Sequence, residues 1–306
     1  MSKYEVVADA EACFQSGNRN FNLGHYQEAI QAYKDAIRIN PECHEAYFNL
    51  GLAYCMLGHY QEAVQAYKKC LLMKRNDAKA YTCLGKTYVE LGDHNEAAEA
   101  FEAAIRIEPG CPDAHSNLGR AYNSLKRYEE AVQVLMEAIR IKPDHAEAHN
   151  NLGWAYGGLR RYAKAAEAFK EAIRIKPDYD EAHFGLGVTY GLLGDWDSAL
   201  GEYEILRDLS MYLADKFLKL IKKWWLIKET TAEVMKETEF DDASFDNMTR
   251  EESEMLFKGI AFGIKARITE SLAGVGVERL KEHFYSIDRM VKDMKQRCFI
   301  RKGTIH

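Results

Sequence analysis

The sequence lacks the features that mark membrane, secreted and metal-binding proteins. No run of about 18 apolar residues occurs in it, so no segment is expected to span a bilayer. The start, MSKYEVVADAEACF, has no uninterrupted apolar run and does not resemble a secretory signal. Seven cysteines are present, and no two have the CxxC spacing typical of zinc or redox sites. We therefore expect a cytoplasmic protein with free thiols and no metal.

The sequence is also short of basic charge. It contains 41 Lys and Arg residues against 47 Asp and Glu residues, which gives a formal net charge of -6. Proteins that follow a phosphate backbone need clustered basic side chains, and the acidic excess here lies in residues 1–213. Nucleic acid is therefore not expected as a partner.

Motifs of common catalytic sites are absent as well. The sequence has no glycine-rich phosphate loop, no GxSxG elbow and no HExxH motif. Gly274 and Gly276 follow no predicted strand, so they do not form a nucleotide-binding fingerprint. Loose catalytic candidates in residues 214–306 are acidic loop residues, which are usually just solvated, and one histidine: Asp241, Asp242, Asp246 and His283. We expect no enzymatic activity and no cofactor.

What the sequence does contain is a repeat of 34 residues. The segment NLGRAYNSLKRYEEAV at 117–132 returns as NLGWAYGGLRRYAKAA at 151–166. Rows of 34 that start at Ala10 align without an insertion. They define six repeats: 10–43, 44–77, 78–111, 112–145, 146–179 and 180–213.

Small and large residues keep fixed positions in these repeats. Position eight is always glycine: Gly17, Gly51, Gly85, Gly119, Gly153 and Gly187. Position 24 is always large: Tyr33, Tyr67, Phe101, Leu135, Phe169 and Tyr203. Proline recurs at position 32: Pro41, Pro109, Pro143 and Pro177. Small residues permit close helix approach and proline ends a helix, so each repeat is predicted to be a helix, a turn and a second helix.

The order Leu-Gly-x-x-Tyr, then Ala, Phe or Tyr, Ala and Pro resembles the tetratricopeptide repeat family. The resemblance covers residues 10–213. It implies an all-α fold, an α-solenoid wound as a right-handed superhelix, in which stacked hairpins share one continuous core. Members of this family mostly act as binding scaffolds, so the resemblance implies a protein–protein interaction scaffold.

The resemblance also implies where a ligand binds. In such arrays the first helix of each repeat lines the concave face, and positions 2, 5, 6, 9, 12 and 13 point into the groove. These positions vary here and are polar in the middle repeats, where amides can pair with the backbone of an extended peptide. We expect a peptide or a partner protein to contact the following groove residues: Asn18, Asn49, Lys79, Lys86, Asn117, Arg120, Asn150, Asn151 and Trp154.

Two family-specific sites are considered within this groove. Asn49, Asn117 and Asn151 at position six resemble the asparagine ladder in the repeat region of O-GlcNAc transferase, although Asn-Leu-Gly is also simply common in the family. Asn18, Asn49 and Lys79 match part of the clamp that holds a C-terminal carboxylate in some co-chaperones. Phe14 and Cys83 replace two of its three cations, which removes most of the charge-assisted bonding. We therefore do not expect a functional clamp.

Histidine recurs at position four, as His115, His149 and His183. Neighbouring helices pack about 8 to 10 Å apart, whereas zinc needs its nitrogen ligands within about 2.1 Å. Other repeats have tyrosine at this position. The histidines are therefore predicted to fill a packing position rather than bind a metal.

Residues 214–306 resemble no known family and are predicted to form three amphipathic helices. The first continues from the last repeat and carries lysines beside one apolar stripe: Phe217, Leu220, Ile221 and Trp224. We interpret this stripe as a cap on the array or as the interface of a homodimer. A self-assembling structural protein, or an adaptor that lies on a membrane surface through this helix, is the alternative function. Membrane contact is the less favoured interpretation.

Overall fold

Helices are the only regular secondary structure in the described part of the chain. The computed structural model describes residues 3–222. The helices with complete bounds in this range are α1 Lys3–Asn22, α2 Tyr26–Ile39, α3 His44–Met56, α4 Tyr60–Met73, α5 Ala78–Leu91, α6 His94–Ile107, α7 Pro112–Ser124, α8 Tyr128–Ile141, α9 Ala146–Gly158, α10 Tyr162–Ile175, α11 Asp180–Leu193 and α12 Trp196–Leu209. A further helix, α13, begins at residue 211 and is described to residue 222. The expected all-α repeat fold is confirmed.

The helices pair as the repeat predicts, with one odd-numbered and one even-numbered helix in each repeat. The chain forms two compact units, Met1–Thr189 and Tyr190–His306. In the first unit, each helix from α1 to α9 packs against the next one along the chain. The odd-numbered helices are called first helices below. Each of them from α1 to α7 also contacts the next odd-numbered helix. The extent of the repeat array to residue 213 stays a prediction.

Glycine at position eight faces the large residue at position 24 of the same repeat. A Cβ atom added to Gly85 would lie 2.7 Å from Cε1 of Phe101, and one added to Gly51 would lie 2.7 Å from Cε1 of Tyr67. The same clash recurs in the first, fourth and fifth repeats. The predicted complementarity of small and large residues is therefore confirmed in repeats one to five, and it sets how closely the two helices approach.

Large residues at position 24 contribute to two clusters of buried residues in the first unit. One cluster runs from Ala63 in α4 to Ala168 in α10, and a second joins α2, α3 and Ala66 of α4. Phe101 and Leu135 are fully buried within the first cluster. Burying a side chain of this size contributes roughly 1.5–3 kcal/mol, which a single isolated hairpin has no surface to provide.

The two helices of each repeat are joined by a tight turn. The turn contains one residue in the left-handed conformation. In the first three repeats this residue is glycine, with a φ angle of 78° at Gly24, 73° at Gly58 and 82° at Gly92. Lys126 and Arg160 take the same position in the fourth and fifth repeats, with φ angles of 60° and 57°. This conformation is costly for residues with a Cβ, so packing of the flanking helices determines the turn geometry.

Second helices end before the recurrent proline. Asn40, which precedes Pro41, has an extended conformation with φ −126° and ψ 90°. Lys74 has nearly the same angles, −125° and 84°, although Arg75 follows it. A residue before proline is pushed out of the helical region, but this helix end forms without that restriction too. Proline therefore accompanies the helix end and is not required for it.

In the second unit, α12 and α13 both carry a buried apolar stripe. Buried residues of α12 are spaced by one, three and three positions: Ala199, Leu200, Tyr203 and Leu206. In α13 the buried residues are Ala214, Phe217 and Ile221. Spacings of three and four place these side chains on one face of each helix.

Candidate groove on the first helices

The groove residues all lie on first helices, on α1, α3, α5, α7 and α9. This placement follows from the repeat, because the helices and the residues recur with the same period of 34. Every first helix therefore presents the same positions in the same register. Their role in binding remains a prediction.

Asn18 and Asn49 bind each other across the first two repeats. Nδ2 of Asn49 donates to Oδ1 of Asn18 at 2.8 Å, and the hydroxyl of Tyr33 donates to the same oxygen at 2.9 Å. Burial raises the pKa of Tyr33 to about 12, and a hydrogen bond with Asn49 opposes that rise. The Asn18 carbonyl is thus engaged within the protein.

Asn117 and Asn151 leave their acceptors open. Nδ2 of Asn117 donates to the backbone oxygen of Asp113 at 2.8 Å. Nδ2 of Asn151 lies 3.4 Å from both the backbone oxygen and Oγ of Ser116. Within the described residues, no donor contacts the Oδ1 atom of either asparagine. A ligand N–H group would find an acceptor there.

Three groove cations are exposed and free of ion pairs. Lys79 and Lys86 lie on α5, and Arg120 lies on α7. No carboxylate in residues 9–222 forms an ion pair with any of them. Four arginines of the second helices differ, because each pairs with a carboxylate three residues earlier: Arg38 with Asp35, Arg140 with Glu137, Arg174 with Glu171 and Arg207 with Glu204. Among the described residues, Arg106 of α6 forms no such pair.

Trp154 lies half-buried on α9, with its ring against two phenylalanines. Its ring centroid is 5.3 Å from that of Phe169 in an edge-on arrangement and 6.3 Å from that of Phe184. Gly157 follows on the same helix, and a Cβ atom added there would meet no atom within 4 Å. Open space therefore lies close to the Trp154 ring, which packs against Phe169 and Phe184.

Asn150 is buried, unlike the other groove residues. It is only 6% exposed, and its Oδ1 atom has no hydrogen-bond partner among the described residues. Its neighbour Tyr179 has its pKa raised to about 12 by burial, by Glu181 and by Glu147, while Arg120 and the Asn150 amide oppose the rise. Asn150 therefore belongs to the packing between first helices as much as to their surface.

The recurrent histidines bond to the preceding loop. Nε2 of His115 lies 2.9 Å from the backbone oxygen of Pro109, and Nε2 of His149 lies 3.0 Å from that of Pro143. His183 and Pro177 repeat the contact at 3.0 Å. The packing interpretation omitted this role, which a fixed six-residue spacing between proline and histidine could have indicated. No group of three or more ligand side chains in the described range could hold a metal ion.

His145 is a further site that sequence reasoning missed. It is buried at the start of α9, with Nε2 2.9 Å from Oδ1 of Asp113 and Nδ1 3.1 Å from Oε2 of Glu147. Nδ1 also accepts a 3.4 Å hydrogen bond from the backbone N–H of Ala148. The imidazole therefore links α7 to α9, and its place just outside the aligned groove positions hid it.

The predicted cap or interface stripe is only partly described. Phe217 and Ile221 are fully buried and Leu220 is half-buried. Trp224 and the other predicted helices lie outside the described residues. Among the helices of residues 3–222, none is long and apolar enough to cross a membrane.

Family models agree with the repeat period. Two models described as tetratricopeptide repeat match residues 88–154 and residues 44–77 and 146–179, respectively. A third, described as TPR repeat, matches residues 17–58. Comparison with curated proteins found no match.

Solved structures with the same repeats are similar to this chain. The MamA protein is 26% identical with a TM-score of 0.52, and the match covers 56% of this chain and 93% of MamA. YrrB, a TPR protein with an unusual peptide-binding site, is 24% identical with a TM-score of 0.52 over 57% of this chain and 90% of YrrB. PilF of Pseudomonas aeruginosa is 16% identical with a TM-score of 0.58 over 70% and 99%.

Proposed function

Because this chain belongs to the tetratricopeptide repeat family, whose members serve as protein-interaction scaffolds, we propose that its first helices bind an extended segment of a partner protein. The binding surface comprises the groove residues of repeats three to five, on α5, α7 and α9. The ligand carries acidic side chains and at least one apolar side chain. The peptide-binding site named for YrrB, which has the same fold, is consistent with this proposal.

Free cations on the first helices carry the proposal. Lys79, Lys86 and Arg120 are exposed without an ion pair, whereas four of the arginines on the second helices pair within their own helix. An acidic segment would supply carboxylates to these three cations. Bonds between ionised partners are stronger than neutral ones, so three of them favour one ligand charge and one register.

Amide acceptors next to these cations would hold the ligand backbone. Oδ1 of Asn117 and Oδ1 of Asn151 lie at the same position of adjacent repeats and lack donors. Backbone N–H groups of an extended peptide could donate to both, whatever the peptide sequence. The open space at Gly157 beside Trp154 would take an apolar side chain.

The proposal is tested with a peptide selected from a random library on the full chain. Replacing Asn117 and Asn151 together with alanine should weaken its binding by about 1 to 3 kcal/mol, because two hydrogen bonds are lost. Gln133→Ala is the matched control, since Gln133 is an exposed amide on the second helix α8. Unchanged affinity of the double variant, with its helical content intact, would exclude the amide contacts.

A further inference from the structure

Two cysteines lie on neighbouring first helices, Cys55 on α3 and Cys83 on α5, and both are partly buried. The hydroxyl of Tyr67 on α4 is a neighbour of both side chains. Cys55 Sγ is 3.8 Å from this hydroxyl, and the Cys83 thiol lies near enough to interact with both Tyr67 and Cys55. The two thiols therefore share one buried hydroxyl as a neighbour.

Cys55 meets α5 at a second point. Its Sγ atom is 3.3 Å from Oγ1 of Thr87, which lies one turn after Cys83 on the same helix. Oγ1 of Thr87 also donates to the backbone oxygen of Cys83 at 2.8 Å. The Cys55 side chain thus lies across the face of α5 that carries Cys83.

The same two positions can be compared two repeats later, on α7 and α9. Asn123 and Asn151 are the residues that take the places of Cys55 and Cys83 two repeats later. Nδ2 of Asn123 donates to the backbone oxygen of Asn151 at 2.8 Å. A side chain at the first position thus reaches the backbone at the second in this later pair of repeats, where α7 and α9 lie close over more of their length than α3 and α5. A disulfide between Cys55 and Cys83 needs their Cα atoms about 4.4 to 6.8 Å apart.

We propose that Cys55 and Cys83 form a redox site, in which a small-molecule disulfide oxidises the two thiols to an intramolecular disulfide that joins α3 to α5. This assignment goes beyond peptide binding and stands whether or not the first helices bind a peptide. The other cysteines of the described chain show no thiol–thiol neighbour of this kind: Cys13, Cys43, Cys70 and Cys111.

The reaction balances in two exchange steps. Cys83 loses its proton to solvent, and its thiolate attacks one sulfur of the small disulfide, releasing one small thiolate. Cys55 then also loses its proton to solvent, and its thiolate attacks the Cys83 sulfur of the mixed disulfide and releases the second small thiolate. Two electrons pass from the cysteines to the small disulfide, and two protons convert the released thiolates to thiols. Burial raises the pKa of Cys83, and the neighbouring Lys86 partly offsets this rise by stabilising the thiolate.

The test uses the full chain, reduced and then equilibrated with mixtures of oxidised and reduced glutathione. Digestion without reductant and mass spectrometry should show one linked pair of peptides, containing Cys55 and Cys83, that dithiothreitol separates. The folded chain should form this link at an oxidised-to-reduced ratio at least about tenfold lower than the chain unfolded in urea, because folding holds the thiols together.

Matched variants complete the experiment. Cys55→Ser and Cys83→Ser should each abolish the linked peptide and leave the remaining cysteine as a thiol or mixed disulfide, while Cys111→Ser should keep it. Circular dichroism verifies that each variant is folded, and Cys55→Ala and Cys83→Ala replace any serine variant that is not. Free thiols at both positions, separate glutathione adducts in the folded wild type, or linkage that does not depend on folding would overturn the proposal.

Discussion

Gly85 has a hydrogen atom where other residues have a Cβ atom, and this difference allows the two helices of its repeat to pack closely. Its missing Cβ leaves room for the ring of Phe101, which is fully buried. Because an added Cβ would lie 2.7 Å from ring carbon Cε1, either the ring or α5 would have to shift. The pair therefore determines the distance between α5 and α6.

Gly85→Ala should lower the free energy of unfolding by about 1 to 3 kcal/mol, because it overpacks a filled core. Gly157→Ala makes the same change on a helix where a Cβ meets nothing within 4 Å. That variant should be neutral or up to about 1 kcal/mol more stable, since alanine favours a helix over glycine. Urea unfolding of both variants measures the difference, and equal stabilities would contradict the packing account.

Residue patterns predicted this core but not every backbone conformation. Glycine at position eight and a large residue at position 24 predicted the contact, because volume must be conserved between facing positions. The left-handed turns at Lys126 and Arg160 carried no such signal, since neither residue favours that conformation. Flanking helices impose it, and a single-residue preference cannot report that.

At the scale of one helix, α5 begins at a capping carboxylate. Oδ1 of Asp77 accepts a 3.1 Å hydrogen bond from the backbone N–H of Ala80, and Oδ2 lies 3.1 Å from Nζ of Lys74. Burial by itself would raise the pKa of Asp77, but these partners stabilise the charged form and hold the pKa below its usual value. The folded protein therefore stabilises the ionised form of the Asp77 side chain.

Asp77→Ala should lower the free energy of unfolding by about 1 kcal/mol at neutral pH, as expected for the loss of a helix N-cap. A lowered pKa in the folded state means that this contribution is present above the ordinary carboxyl pKa and is lost as the pH falls through the folded value. The gap between wild type and variant should therefore close below about pH 4. Thermal unfolding across this pH range measures it.

Asp93 provides the control, because it occupies the same place before α6 without a side-chain capping bond. Asp93→Ala should change stability by less than about 0.5 kcal/mol. If both variants lose the same amount, or if the loss at Asp77 does not depend on pH, the capping account of Asp77 is wrong.

Helix number and order were predictable, whereas helix ends were only partly so. The period of 34 predicted each hairpin, because a small-to-large pattern with a fixed period requires the same element each time. Proline predicted where second helices end in four repeats, but α4 ends at the same position without it. The bonds from histidines to the proline carbonyls were also missed, since they join a helix to a loop and leave no helical periodicity.

For the whole molecule, we expect residues 214–306 to stabilise the array or to join two copies. Phe217 and Ile221 are fully buried in the described part of this region. A chain that ends at residue 211 lacks both residues. The apolar surface that they help to bury should then be exposed to solvent and promote association. We therefore predict that this truncated chain aggregates.

Light scattering of the two chains measures this outcome. A monomeric full chain would identify residues 214–306 as a cap, and a dimeric one would identify them as an interface. A monomeric full chain whose truncated form is equally soluble and stable would contradict both. Neither interpretation could be chosen from the sequence, because an apolar stripe predicts burial without naming what covers it.

The central claim is that the first helices of repeats three to five bind an extended segment of a partner protein. It is tested most directly by photo-crosslinking the library-selected peptide to the full chain, with a photoreactive residue in place of Lys86, Arg120 or Met136. Met136 is 56% exposed on the second helix α8 and serves as the control position. We predict crosslinks from positions 86 and 120 that unlabelled peptide suppresses, and none from position 136. Crosslinks confined to position 136, or equal at all three positions, would contradict the claim.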